Sequence, residues 1–274
     1  MHEDIYWIWL SRLNLNAKEK LELVLKYKSP EIIFNERYSI IKKITKEEID
    51  LIKLEELIEE EKRINKYKIK LINLYSNYYS SNLRYIYDAP ILLYALGNIE
   101  LLNSSSVAIV GSRKCSVYGK LIAEKISGEL ARSNISIISG LAKGIDTSAH
   151  IGAKGKTIAV LGSGLDVIYP KENIKLAKEI VSRGGLIISE YGLGTKPEKM
   201  HFPSRNRIIS GIANKVIVVE AGERSGSLIT AEFALEQGKD VYAVPGNITS
   251  KQSVGTNNLI KEGAMPYTTI RDLL

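Results

Sequence analysis

Four cations and one aromatic residue lie within twelve positions of one another in the sequence. Lys196, Lys199, Arg205 and Arg207 surround Phe202, which stands among charged residues rather than in an apolar run. Lys and Arg bind phosphates, and an aromatic ring offers a surface on which an unpaired base can stack. The cluster therefore favours contact with single-stranded nucleic acid. The alternative is structural, with Phe202 filling the underside of a loop and Arg207 capping a neighbouring helix.

Four other segments combine Gly and Ser directly after short apolar runs: GSRKCSVYG, SGLAKGID, GSGLDVIYP and AGERSGS. Small side chains let main-chain N–H groups approach an anion, and a helix that begins there adds positive partial charge. Any one of these loops is also what a tight turn requires, because Gly is enriched in turns. Four such loops in one chain favour phosphate as the ligand.

The sequence predicts neither a bound cofactor nor a metal. GSRKCS lacks the second glycine of the dinucleotide fingerprint, GSGLDV has Val167 in place of the third, and no Walker-type phosphate loop is present. The three histidines, His2, His150 and His201, have no metal-ligand spacing among themselves or with Cys115. Nicotinamide, flavin and metal chemistry are therefore not expected.

Candidates for catalysis are few, and we predict no catalytic residue. His150 and Asp146 lie on a predicted helix, where a structural role or a phosphate contact suits the histidine and an N-cap suits the aspartate. The serines of AGERSGS have no His and Asp partners that the sequence suggests. Glu190 and Glu220, both at predicted strand ends, are the one plausible carboxylate pair.

The elements that position these residues follow from six short runs rich in β-branched residues: VAIVG, ISIIS, TIAVL, LIIS, VIVVE and VYAV. Such runs are typical of strands buried on both faces, and the segments between them have helical spacing. Alternating strands and helices predict an α/β fold with a doubly wound, mostly parallel sheet. The loops at the carboxyl ends of its strands are then the place for a ligand.

The chain before this region has a different pattern. Apolar residues at helical spacing alternate with Lys and Glu up to about residue 80, and the run EELIEEEKRINKYKIK is typical of a solvated helix face. A stretch rich in Tyr and Ser follows. We therefore predict a small helical domain over 1–81 and a sheet domain over 82–274.

Composition and charge indicate the class of protein. The chain has 274 residues, a formal net charge of +7 and a single cysteine. No run of about 18 uncharged apolar residues is present, so we predict no membrane span. The N-terminus lacks the pattern of a secretory signal, and one cysteine cannot form an internal disulfide, which together favour the cytoplasm. The excess of positive charge favours a polyanionic partner.

Taken in order, six segments resemble the motifs of the DNA-processing protein A family, also called Smf: VAIVGSR, SGLAKGIDTSAH, GSGLDVIYP, HFPSRNRIISG, EAGERSGSLITAEFALEQG and VYAVPGNITSKQSVGTNNLIKEGA. The resemblance runs from about residue 82 to the C-terminus. It implies an extended Rossmann-like domain that binds single-stranded DNA and loads the RecA recombinase on it during natural transformation or recombination. It also implies a homodimer. From the residues themselves we predict no enzymatic activity, since no nucleophile, metal site or tuned acid–base pair is evident.

The resemblance assigns roles to individual residues. Arg113, Lys199 and Arg205 would hold phosphates, and Phe202 would stack on a base. Ser112, Ser139, Gly140 and Ser227 match positions where the main chain approaches the strand. With Arg207 from the basic cluster, the predicted DNA-binding residues are Ser112, Arg113, Ser139, Gly140, Lys199, Phe202, Arg205, Arg207 and Ser227.

Two departures from the family and two other functions complete the predictions. LNLNAKEK replaces the glycine hairpin of the family's helical domain, and we expect the C-terminal winged helix of many members to be lacking, because the chain ends at RDLL. A related nucleotide hydrolase would carry a P-G-G-x-G-T loop, of which Pro245 and Gly246 are present but Asn247 breaks the pattern. A protein-interaction scaffold with a vestigial pocket is the third possibility.

Overall fold

Nine strands form a single sheet in a computed structural model of the protein, which describes residues 3–273. The strands are β1 (Lys70–Asn73), β2 (Leu92–Gly97), β3 (Ser106–Val110), β4 (Ser136–Ser139), β5 (Thr157–Leu161), β6 (Leu186–Ser189), β7 (Lys215–Val218), β8 (Asp240–Ala243) and β9 (Met265–Pro266). Their order across the sheet is β1-β2-β6-β5-β4-β3-β7-β8-β9. The pairs β1–β2 and β2–β6 are antiparallel and the other six are parallel. The six predicted strands are β3 to β8, so the mostly parallel α/β fold is confirmed.

Helices cover both faces of the sheet. The ones that follow β1 are α7 (Ser81–Arg84), α8 (Val117–Arg132), α9 (Ile145–Ala153), α10 (Ile174–Ser182), α11 (His201–Ile212), α12 (Gly226–Glu236) and α13 (Val254–Lys261). Successive side chains of β3 point to opposite faces. Val107 and Ile109 pack with α8 and α9, whereas Ala108 and Val110 belong to the core that contains α10 and α11. The sheet is therefore doubly wound, as predicted.

Short helices make up the N-terminal part of the chain: α1 (Glu3–Arg12), α2 (Ala17–Tyr27), α3 (Pro30–Asn35), α4 (Arg37–Ile40), α5 (Lys46–Asp50) and α6 (Leu54–Lys66). Asn16 and Glu19 form a capping box at the start of α2, which satisfies two main-chain N–H groups. Trp7 and Trp9 of α1 are buried in the same hydrophobic core as β5 and β6. The helices thus pack directly against one face of the sheet.

The first strand lies on the N-terminal side of the predicted boundary at residue 82. β1 pairs with β2 from Lys70 opposite Ala95 to Asn73 opposite Leu92. In the charged run that was predicted as one helix, the helix therefore ends at Lys66, and the last residue of the run, Lys70, begins a strand. The division of the chain into 1–81 and 82–274 stays a proposal.

Candidate nucleic-acid interface

A cavity of about 690 Å³ opens at the carboxyl ends of the central strands. The chain runs outward from β3 to β6 on one side and then places β7 on the other side of β3, so the strand order reverses here. Ligands of open α/β sheets bind at such reversal points. Six of the nine predicted DNA-binding residues line the cavity: Ser112, Arg113, Lys199, Phe202, Arg205 and Ser227.

Phe202 forms part of the cavity wall in the first turn of α11. Its ring is half-buried and belongs to neither hydrophobic core. The guanidinium carbon of Arg113 lies 5.2 Å from the ring centroid, and the ring of Tyr169 lies 5.6 Å away, centroid to centroid, at 43°. A cation and a second aromatic side chain therefore flank a ring that is open to the cavity.

Three exposed cations border the same opening. Arg113, Lys114 and Lys199 all line the cavity, and none of them has an ion-pair partner within residues 3–273. Lys114 and Tyr169 were missing from the predicted set. Their positions in the sequence could have indicated them, since Lys114 follows Arg113 directly and Tyr169 is the second-last residue of the segment GSGLDVIYP.

Arg205 lies beneath the cavity with only 3% of its surface exposed. Its Nη1 donates to the main-chain oxygens of Gly140, at 2.6 Å, and of Val160. Burial lowers the pKa of Arg205 to about 10, and the carboxylate of Asp146 partly offsets this effect. Arg205 therefore contributes a fixed charge below the cavity floor, and a direct phosphate bond from its side chain stays a prediction.

The loop SGLAKGID differs from the predicted phosphate cradle. The main-chain N–H groups of Gly140 and Ala142 donate to Oδ2 of Asp146, at 3.1 and 3.3 Å, and the Ser139 hydroxyl donates to the Ile109 oxygen at 2.7 Å. These donors point inward, so Ser139 and the Gly140 N–H are structural here. Asp146 is also not the N-cap of α9, which is Gly144 with a φ of +79°.

Gly140 is required for a different reason than the one predicted. A Cβ atom at this position would lie 2.2 Å from Nη1 of Arg205. The absence of a side chain therefore makes room for the buried guanidinium group rather than for a ligand.

The structure does not bring Arg207 to the cavity. Its guanidinium group lies on another face of α11, where Nη1 and Nη2 donate to the two carboxylate oxygens of Glu190 at 2.7 and 2.6 Å. Nε lies 2.9 Å from Oδ2 of Asp88, and the Arg207 side chain is 4% exposed. Arg207 therefore neither lines the cavity nor caps a neighbouring helix: it forms ion pairs with Glu190 and Asp88, and it is not part of the proposed site.

Glu190 and Glu220 do not form a carboxylate pair. Their strands, β6 and β7, are four positions apart in the sheet, which is about 19 Å at about 4.8 Å per strand. Glu190 is bound by Arg207, and the carboxylate of Glu220 accepts from the N–H of Ser116 at 2.8 Å and from its hydroxyl at 2.6 Å. Each carboxylate therefore holds a structural position.

His150 is buried within α9, in agreement with the structural role considered for it. The hydroxyl of Thr157 donates to the oxygen of Ile137, so Nδ1 of His150 donates to that hydroxyl at 2.7 Å. Burial lowers the pKa of His150 to about 3, and the ring is neutral. His2 lies outside the described residues.

A second cavity, of about 430 Å³, separates α2 from α11 and is lined by Lys20, Asp88, Glu190 and Arg207. The Lys20 ammonium group donates to the main-chain oxygen of Ser11 at 2.5 Å. Burial lowers the pKa of Lys20 to about 8, although Glu190 opposes this shift.

The Lys20 titration predicts that stability rises with pH in the alkaline range. Between about pH 8 and about pH 9.5, Lys20 is mostly neutral in the folded protein but still protonated when unfolded, where its pKa is about 10.4. At this site the unfolded state then binds more protons, and Lys20 should contribute a rise of about 1.5 kcal/mol in the free energy of unfolding over this interval. Urea unfolding at several pH values measures the slope. Lys20→Met should lower the slope by this contribution, and equal slopes in both proteins would contradict the assignment.

Two further findings concern the described chain as a whole. From residue 3 to residue 273, no group of three or more His, Cys, Asp or Glu side chains is placed to hold a metal ion. No helix in this part of the protein is long and apolar enough to cross a membrane.

Comparison with known proteins identifies the family. Residues 70–274 match the model of DNA recombination-mediator protein A. The DNA processing protein DprA of Streptococcus pneumoniae is 50% identical over 210 residues, which are 76% of this chain and 74% of that protein. Its X-ray structure superimposes with a TM-score of 0.79 at 40% identity and covers 100% of this chain and 98% of its own.

A second solved structure, of DNA processing protein A from Helicobacter pylori, concerns the single-stranded DNA binding mode of that protein. It superimposes with a TM-score of 0.70 at 32% identity and covers 76% of this chain and 94% of its own. The predicted family is confirmed by these matches: the chain belongs to the DNA recombination-mediator protein A family.

Proposed function

We propose that this protein binds single-stranded DNA in the cavity at the carboxyl ends of the central strands. The observation that carries the proposal is the half-exposed ring of Phe202 beside the exposed cations Arg113 and Lys199. Unpaired bases stack on aromatic rings and phosphates bind cations, so this combination suits a single strand. The single-stranded DNA binding of the Helicobacter pylori relative supports the same conclusion.

The geometry suggests how a strand would bind. Arg113, Lys114 and Lys199 hold successive phosphates, while a base stacks on Phe202. The N-terminus of α12, which begins beside Ser227, adds positive partial charge at the edge of the cavity. Stacking is possible with every base, and so little sequence selectivity is expected.

In recombination, the bound strand would be passed to a recombinase. We propose that the protein protects single strands and loads RecA on them, and that it acts as a homodimer. Membership of a family of recombination mediators supports these steps. Accelerated assembly of RecA on DNA coated with a single-strand-binding protein would test the loading step directly.

Fluorescence anisotropy with labelled oligonucleotides tests the binding proposal. Single strands should bind more tightly than duplexes of the same sequence. If three phosphates are neutralised, the logarithm of affinity should fall with the logarithm of salt at a slope of about −2, and Arg113→Ala or Lys199→Ala should flatten it by about 0.7 each. Lys175→Ala is the matched control, because Lys175 is exposed on α10 and does not line the cavity. Equal affinity for duplex, or an affinity that salt does not change, would contradict the proposal.

The alternative of a nucleotide hydrolase has less support. Its signature loop would contain Gly246, whose main-chain N–H and oxygen are both held by the Asn257 side chain at 3.1 Å. The nearby glutamate, Glu220, binds the start of α8 through Ser116. Release of a base or of phosphate from a nucleoside monophosphate, lost in Glu220→Gln, would favour the hydrolase over the binding protein.

A further inference from the structure

The segment 190–200 carries Lys199 and leads into α11 with Phe202, and the N-terminal helices hold its beginning. We propose that Glu60 of α6 is a positioning residue for single-stranded DNA binding: its contact with the segment fixes the places of Lys199 and Phe202. This inference rests on the proposed function of the cavity. It extends the binding machinery to a helix that contributes no residue to the cavity wall.

Glu60 is buried at the point where α6 meets the segment, with 2% of its surface exposed. Its Oε1 accepts a hydrogen bond from the main-chain N–H of Leu193 at 2.8 Å, and Oε2 lies 2.6 Å from Nη2 of Arg12 on α1. A Cβ atom on Gly192 would lie 2.9 Å from Oε1. The carboxylate thus sits directly against the main chain of the segment.

A second contact from α6 lies one turn further along the helix. Arg63 forms an ion pair with Asp166, whose other oxygen accepts from the N–H of Gly194 at 2.8 Å. The N–H of Gly164 donates to the oxygen of Thr195 at 2.9 Å. The loop after β5 and the segment after β6 are therefore tied to each other and to the same helix.

The constraint reaches the cavity through an aromatic stack. The ring of Tyr191, two residues before Leu193, lies 4.1 Å from the ring of His201 at 28°, centroid to centroid. His201 is the first residue of α11, and its Nδ1 lies 3.2 Å from the oxygen of Gly162. Phe202 follows His201 directly. Lys199 lies between two fixed points of the chain, which are the main-chain contacts of Leu193 and Gly194 and the stacked ring of His201. Both cavity residues are thus placed by contacts made outside the cavity.

Burying a carboxylate between a helix and a sheet costs free energy, because the charge loses its hydration. Glu60 is 2% exposed, and this burial desolvates its charged form and raises its pKa, although Arg12 opposes the shift. An apolar side chain would fill this space without the desolvation cost, but it could not accept the hydrogen bond from the Leu193 N–H. Holding the segment in one conformation is what the carboxylate adds.

A double-mutant cycle with Lys199 tests the proposal. Glu60→Ala should weaken single-strand binding about tenfold, the size expected for loss of one charged hydrogen bond, and flatten the salt slope by about 0.7. In the Lys199→Ala background, Glu60→Ala should cost less affinity than in the unchanged protein, because the part of its effect that acts through Lys199 is already lost and only the part through Phe202 remains. Glu60→Gln keeps an oxygen for the Leu193 N–H and should retain most of the affinity.

Ile33→Ala is the matched control for a general loss of stability. Ile33 is fully buried on α3, which packs on α1 and α2 rather than on the segment. Measured below its melting temperature, this variant should bind single strands as the unchanged protein does. All variants are compared at a temperature where circular dichroism shows them folded.

Three results would overturn the inference. They are normal binding by Glu60→Ala, an equal loss with and without Lys199, and an equal loss in Ile33→Ala. If Lys199→Ala and Arg113→Ala both bind single strands normally, the proposed site itself is wrong and the role of Glu60 falls with it.

Discussion

Replacing Arg207 by alanine should lower the free energy of unfolding by about 3–5 kcal/mol, as expected when one partner of a buried ion pair is removed. The Arg207 guanidinium group contacts the carboxylates of Glu190 and Asp88, and it also donates to the main-chain oxygen of Ser204. Without it, two negative charges would lie close together in a partly buried place. Urea unfolding followed by circular dichroism measures the effect.

Arg113→Ala is the matched control, because this arginine is exposed and has a ring contact but no carboxylate partner among the described residues. Its unfolding free energy should stay within about 0.5 kcal/mol of the original value, while its single-strand affinity falls. The opposite pattern, normal stability and lost binding in Arg207→Ala, would return Arg207 to the DNA-binding set.

The prediction that Arg207 binds DNA was wrong because the start of α11 was not placed. Arg205 and Arg207 were treated as neighbours in one basic cluster, but α11 already begins at His201. Positions two apart on a helix do not share a face. Pro203 did not argue against a helix here, since proline is tolerated in the first turn.

Once the helix is placed at His201, its two faces separate the residues. Those at helical spacing on one face line the cavity proposed to bind DNA: Phe202, Arg205 and Ile209. On the other face Ser204 and Arg207 line the second cavity, and Pro203 lies between the faces and lines both cavities. The start of the helix, rather than the composition of the cluster, decides which cation can reach a ligand.

Other parts of the fold differ in how well the sequence predicts them, and the reasons are physical. Strands β3 to β8 could be predicted because burial on both faces leaves continuous apolar runs. β1 could not, since it is an edge strand with one buried residue, Ile72, and it directly follows a charged helix. The inward hydrogen bonds of Gly140 and Ala142 to Asp146 depend on tertiary placement, and a Gly-rich loop looks the same in sequence whether its N–H groups bind a phosphate or an internal carboxylate.

The convergence of Arg113, Lys199 and Phe202 was predictable only in part. Loops at the carboxyl ends of parallel strands lie at one edge of the sheet, but β3 and β6 are three positions apart in it, about 14 Å at about 4.8 Å per strand. Their residues come from β3 and from the segment between β6 and β7, which are distant in sequence. The topology therefore places the three residues at the same edge of the sheet, whereas their meeting at one cavity depends on the path of segment 190–200 and α11.

Phe202→Ala should weaken single-strand binding by about 1–3 kcal/mol, about fivefold to 150-fold, while leaving the unfolding temperature nearly unchanged. The ring is half-buried, lies outside both hydrophobic cores and touches only side chains of the cavity wall in its aromatic contacts, Tyr169 and Arg113. Truncation therefore removes a stacking surface more than it opens a packed interior. Anisotropy titrations and thermal unfolding of the same samples measure both quantities.

Phe34→Ala is the matched control for Phe202→Ala, because the chain has only three phenylalanines and this one packs in the N-terminal helices. Its ring lies 5.0 Å from Trp9 and 5.3 Å from Tyr6, centroid to centroid. Loss of this packing should cost about 3 kcal/mol of stability and leave binding intact below the melting temperature, so the two alanine variants should show opposite patterns. If Phe202→Ala instead unfolds at a much lower temperature and binds single strands normally, the ring stabilises the fold by packing and does not stack on a base. The cations beside it would then need a ligand that does not stack.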